Sequence, residues 1–135
     1  HPLVIRLLNR TEETLVLQAL KVLGQFTVEE ERDIMDALID AGLMIHLKRL
    51  LEHPSYDIRK ELCWSLSNIA AGPDEHKQLI LDMEFLPIIS SLINSVMEYK
   101  ILVDIGYILT NLSDTSLLTL RKYELLSSTF SLLSS

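Results

Sequence analysis

Apolar positions recur along the chain with a helical period, and the whole pattern repeats after 43 residues. Leu7, Leu50 and Ile93 share one column of that register, Leu15, Ile58 and Ile101 a second, and Leu23, Leu66 and Leu109 a third. Punctuation between the apolar stretches sets helix ends. Residues 29–41, "EEERDIMDALIDA", are acidic at the start and stop at Gly42; residues 43–52 stop before His53-Pro54; residues 56–71 stop at Gly72-Pro73. The series returns as helices over 74–84, 86–95 and 98–113. Helices over 2–9 and 12–26 stand in front, and others over about 114–122 and 123–134 stand behind.

A fixed repeat of this length matches the armadillo and HEAT class, in which each unit has two or three helices and buries its apolar side against its neighbours. A compact bundle has no need of such a register. The expected fold is therefore an all-α solenoid, divided into a partial repeat over 1–28, two complete repeats over 29–72 and 73–113, and a partial or capping repeat over 114–135. Composition agrees. Of the 135 residues 48% are hydrophobic, Leu and Ile outnumber Val and Thr, and Gly and Pro number four each, a bias toward helix over strand.

Not all recurring positions are apolar. Glu61, Trp64 and Asn68 lie at i, i+3 and i+7 on one side of the 56–71 helix, while Leu62, Leu66, Ile69 and Ala70 supply the stripe that the core requires. One period later the same places hold Asp104, Tyr107 and Asn111, and one period earlier Lys21 precedes Gln25 in the aromatic and amide columns. Meanwhile Cys63 changes to Gly106 and Ser65 to Ile108. An aromatic, an amide and an acid kept in step suggest a binding surface. Packed helices sit roughly 8–10 Å apart and an extended peptide advances about 3.3 Å per residue, so one repeat matches about three peptide residues. A side chain would then fit between Trp64 and Tyr107, with Asn68 and Asn111 bonding the peptide backbone. Aromatic faces accept the alkyl stem of Lys or Arg and attract its charge. Glu61 and Asp104 would meet the charged head. The bland alternatives are a core Trp, a capping Asn and a surface ion pair, and recurrence weighs against all three.

These residues carry a family resemblance. "IRKELCWSLSNIAAG" closely resembles the repeat signature of importin-α, the armadillo-repeat adaptors of nuclear import, and "EYKILVDIGYILTN" resembles the following repeat with Tyr107 in place of Trp. The resemblance implies a right-handed superhelix of three-helix repeats, working in cytoplasm and nucleus. It also implies that Lys/Arg-rich nuclear localisation signals are bound by Trp and Asn ladders on the concave side. "ALKVLGQF" aligns with "LCWSLSNI" and resembles the repeat that interrupts the family's ladder, which makes Lys21 and Gln25 an interruption of the site or a contact for the peptide's acidic or C-terminal group. A basic interruption followed by aromatic repeats is the order of the family's minor-site half. Importin-β would be engaged only through an upstream basic segment that this sequence does not contain. The chain begins with His-Pro rather than Met, and a piece of a longer protein is expected. "DTSLLTLRKYELLSS" carries none of the signature.

The remaining features narrow the alternatives. A net charge of −7 disfavours direct binding to nucleic acid and favours a basic partner. Every apolar run is broken by a charge before 18 residues, so no membrane helix is expected. The one cysteine has no internal disulfide partner, and Asn9 and Asn111 fall in glycosylation sequons that mean little in a cytosolic chain. His1, His46, His53 and His76 show no metal-ligand spacing among themselves or with Cys63, and no phosphate-binding loop or nucleophile motif occurs. No enzyme, metal or cofactor is expected. The rival to a basic-peptide module is an armadillo scaffold that binds another folded protein without recognising localisation signals.

Overall fold

The computed structural model describes residues 2–28, 32–95 and 99–113. All of its regular structure among them is helical: α1 (Pro2–Leu8), α2 (Glu13–Val28), α3 (Arg32–Asp40), α4 (Leu43–Leu50), α5 (Tyr56–Ala70), α6 (Asp74–Asp82), α7 (Phe85–Ser95) and α8 (Tyr99–Ser113). The order of two shorter helices and a 15-residue one appears twice, in α3, α4, α5 and again in α6, α7, α8. Observed ends coincide with the expected ones or differ by one or two residues, α4 stopping at Leu50 before the turn Leu51–Glu52 and α6 at Asp82 before Met83–Glu84, while the expected starts at 29 and 98 lie outside the described residues. The helices expected over 114–122 and 123–134 lie outside the described residues, as does the last repeat of which they would be part.

The chain divides into two compact units, His1–Asn68 and Ile69–Ser135. In the first, the core is built from Val4 and Leu8 of α1, Leu20 and Leu23 of α2, Leu38 of α3, Leu43 and Leu47 of α4, and Ile58, Leu62 and Leu66 of α5, all at or near zero exposure. Every one of these positions falls on the apolar stripe of its helix. Polar contacts between sequence-distant helices then fix their ends. Arg49 of α4 donates to the Leu8 carbonyl at the close of α1, 3.2 Å. Its guanidinium also lies 3.3 Å from His46 Nδ1, and burial first and the Arg49 charge second push the His46 pKa down. A neutral imidazole is the form able to accept at Nδ1.

The entry to α5 is built with unusual care. Ser55 Oγ accepts the Ile58 N–H at 3.3 Å as an N-cap and donates to Glu13 Oε1 of α2 at 2.5 Å. One hydroxyl therefore starts α5 and ties it to the start of α2. Behind it, His53 Nδ1 accepts the Ser55 N–H at 3.0 Å, and Arg59 donates to the carbonyls of His53 and Pro54, both at 2.9 Å. The backbone groups left over by the turn are thus satisfied by side chains.

In the second unit the core comes from Ile80 and Leu81 of α6, Phe85, Leu86 and Ile89 of α7, and Ile101, Ile105, Ile108 and Leu109 of α8. The corner between α6 and α7 contrasts with the one between α3 and α4. Gly42 turns the earlier corner at φ +98°, and Glu84 turns the later one at φ +61°. Left-handed backbone suits glycine and costs an L-residue about 1–2 kcal/mol. Glu84→Gly should therefore raise the stability of the second unit by about 0.5–1 kcal/mol after the added freedom of the unfolded glycine is set against the relief. The urea midpoint of the variant, with the slope unchanged, is the measurement that checks it; a lower midpoint would show that Glu84 is held there by interactions of its own.

Candidate functional site

Helix α5 is enclosed on most of its circumference. Ile58, Leu62, Cys63, Ser65 and Leu66 are at zero exposure, Ile69 and Ala70 are buried, and Ser67 is nearly so. The burial is wider than the four-residue stripe read from the sequence, since Cys63, Ser65 and Ser67 join it. What remains outside is a narrow strip. Lys60, Glu61 and Asn68 are half-buried along it, and Trp64 stands 38% exposed at its centre. Trp64 is not a core residue, and the placement of Glu61, Trp64 and Asn68 on one side of the helix is as the spacing requires.

Trp64 is nevertheless not loose. Its six-membered ring lies against Gly24 in the middle of α2: a Cβ built on Gly24 would collide with Cζ3 and sit 3.1 Å from Cε3 and 3.2 Å from Cη2. An interior glycine lowers helix stability by about 1 kcal/mol relative to alanine, so the close approach of the indole gives this glycine a reason. Reading the chain without the structure missed Gly24. The signal was present as a column of small residues three places after the aromatic one, where Lys21, Trp64 and Tyr107 are followed by Gly24, Ser67 and Thr110.

The polar members of the strip differ in how they are held. Asn68 has its Nδ2 buried with no hydrogen-bond partner among the described residues, a state that costs about 1–3 kcal/mol in a folded protein. Glu61 makes no ion pair with any described residue. Ser67 Oγ donates to the Trp64 carbonyl at 2.7 Å, which keeps the hydroxyl on its own helix. On α2, Lys21 is exposed and unpaired among the described residues, one turn before Gly24, and Gln25 is exposed beside it. Lys21, Gly24 and Gln25 thus occupy one side of α2.

The second unit repeats the arrangement on α8. Tyr107 is 60% exposed, Asp104 and Asn111 are half-buried, and the opposite side of the helix, with Ile101, Ile105 and Ile108, is fully buried. Thr110 Oγ1 donates to the Gly106 carbonyl at 2.9 Å, as Ser67 does to Trp64. The Cys63-to-Gly106 change replaces a buried thiol with a position whose Cβ would meet no described atom within 4 Å. Among the described residues no cluster of His, Cys, Asp or Glu is arranged to hold a metal ion, and no helix is long and apolar enough to cross a membrane.

Against this geometry the relatives can be placed. Residues 36–71 match the model of the armadillo/beta-catenin-like repeat. Importin subunit alpha-2 of Oryza sativa subsp. japonica is 33% identical over 116 residues, covering 82% of this chain and 22% of that protein. Importin subunit alpha-9 of Arabidopsis thaliana is 30% identical over 98 residues, covering 69% and 19% respectively. The chain is an importin-α-like armadillo protein. It spans about a fifth of the length of these curated relatives. Its fold, an armadillo solenoid, is shared with a designed armadillo repeat protein at a TM-score of 0.82 and 21% identity, covering 96% of this chain and 52% of that one. A second design, solved in complex with peptide (KR)4, gives a TM-score of 0.79 at 21% identity over 96% of this chain and 52% of that one.

The exposure of Trp64 has a direct energetic consequence. Leu66→Ala should cost about 3 kcal/mol, because it empties a site at zero exposure, whereas Trp64→Ala should cost about 1–2 kcal/mol and preserve the helical circular dichroism. Parallel urea titrations of the two variants test the order. A larger loss for Trp64→Ala would make the indole a core element.

Proposed function

We propose that this armadillo chain binds extended Lys/Arg-rich peptides of the nuclear-localisation type, and that it does so as part of an adaptor of nuclear import shared between cytoplasm and nucleus. The observation that carries this reading is the strip on α5. An exposed indole stands between Glu61, a carboxylate without an ion pair among the described residues, and the half-buried amide of Asn68. Each group suits a part of a basic peptide. The indole takes the aliphatic stem and charge of Lys or Arg, for about 0.5–2 kcal/mol. Glu61 takes the ammonium or guanidinium. Asn68 presents a half-buried amide to the peptide backbone.

The α8 strip supports the same chemistry with Asp104, Tyr107 and Asn111, and the smaller phenol makes it the weaker of the two. Lys21 places a cation where the aromatic would stand, so α2 repels a basic side chain and suits an acidic or C-terminal group of the peptide. Kinship supports the reading too, since the curated relatives are importin alpha subunits and one structural neighbour was solved with an alternating Lys/Arg peptide.

A titration with a short Lys/Arg-rich peptide, followed by the fluorescence of Trp64 (the only tryptophan), tests the proposal. Saturable binding should weaken on going from low to moderate salt, because the Debye length falls to about 10 Å at 0.1 M. Trp64→Ala, followed by calorimetry, should lower affinity about tenfold or more, about 1.4 kcal/mol. Asn68→Ala should weaken different basic peptides by similar factors, since it contacts backbone. A folded sample that ignores basic peptides at low salt would favour the scaffold alternative, in which a folded protein is the partner.

A further inference from the structure

The contact between Trp64 and Gly24 has a direction. The Cβ position of Gly24 falls closest to Cζ3, with the two neighbouring ring atoms farther off and nearly equidistant at 3.1 and 3.2 Å. An approach over the ring face would bring all three atoms to similar distances. Only an approach in the ring plane, at the Cζ3 corner, separates them this way. Gly24 therefore meets the edge of the indole and leaves its two faces uncovered by that contact. The electropositive ring edge is turned to the α2 backbone, and the electronegative faces are the surfaces a cation seeks. Trp64 stays 38% exposed while wedged in this manner.

We infer that Gly24 is a positioning residue for the binding strip: it seats the Trp64 indole edge-on against α2, so that an aromatic face is held ready for a cationic side chain. The missing side chain is the essential feature. Any Cβ at position 24 occupies the space of Cζ3, and backbone on one side and a rigid bicyclic ring on the other leave the indole no small adjustment. It must swing about χ1 or χ2, and its faces turn with it. Gly24 is thus retained within α2 despite its poor helix propensity. The seat also explains why α5 must stay in register with α2, a register held at their starts by the Ser55 to Glu13 hydrogen bond. The functional half of this inference rests on the basic-peptide reading above; the geometric half does not.

The test is Gly24→Ala in the full chain, read in two ways. Trp64 emission and near-ultraviolet dichroism should change in the peptide-free variant, with a red shift as the ring edge leaves its seat, and affinity for a (Lys-Arg)4 peptide should fall about five- to tenfold. Unchanged emission and dichroism would overturn the seat. A changed spectrum with full peptide affinity would overturn its role in binding. If the parent chain itself does not bind the peptide, the basic-peptide reading fails while the spectra still decide the seat. A double-mutant cycle keeps the inference falsifiable should Gly24→Ala fold poorly. In the Trp64→Ala background, where nothing occupies the space, Gly24→Ala should raise the unfolding midpoint as a better helix former. Equal effects of Gly24→Ala in both backgrounds would refute the contact.

Discussion

Helix α5 is held by burial on most of its circumference, and that constraint governs the rest of the site. With Ile58, Leu62, Cys63, Ser65 and Leu66 all shut away from solvent, the helix has no freedom to roll. Close packing permits few alternatives to the observed orientation. Glu61, Trp64 and Asn68 are therefore presented by elimination: they occupy the part of the circumference that the core does not use. A binding strip made this way is rigid without any dedicated support, because the same hydrophobic contacts that stabilise the fold also aim the side chains. The cost falls on the polar groups, most plainly the buried Asn68 Nδ2, which has no hydrogen-bond partner among the described residues.

Much of this was written in the chain. The 43-residue register placed the eight described helices to within about three residues, since it repeats both the apolar stripe and the punctuation that ends it. It also separated Trp64 from the stripe, because Leu62, Leu66 and Ile69 were sufficient without it. The repeat said less about what surrounds α5. Ser65 and Ser67 are buried although serine carries no hydrophobic signal. Likewise the Ser55 to Glu13 bond joins residues 42 positions apart, and no local pattern marks that pair.

Gly24 shows where periodic reasoning stops. A column analysis compares residues that occupy equal places in successive repeats, so it aligns Gly24 with Ser67 and Thr110 and finds only a preference for small side chains. The contact that matters runs obliquely, from one repeat's small residue to the next repeat's aromatic. Two columns that look independent in the sequence are coupled in space. The same limit applies at the helix corners. Glu84 performs the left-handed turn that Gly42 performs one repeat earlier, and nothing in the identity of a glutamate announces a positive φ.

That coupling bears on how such a site can vary. An aromatic seated edge-on needs a neighbour without a side chain, so enlarging position 24 and keeping the indole of position 64 in that edge-on seat are mutually exclusive. On this view the unit of recognition at Trp64 is not α5 alone with its acid, aromatic and amide. It is α5 together with Gly24 of α2.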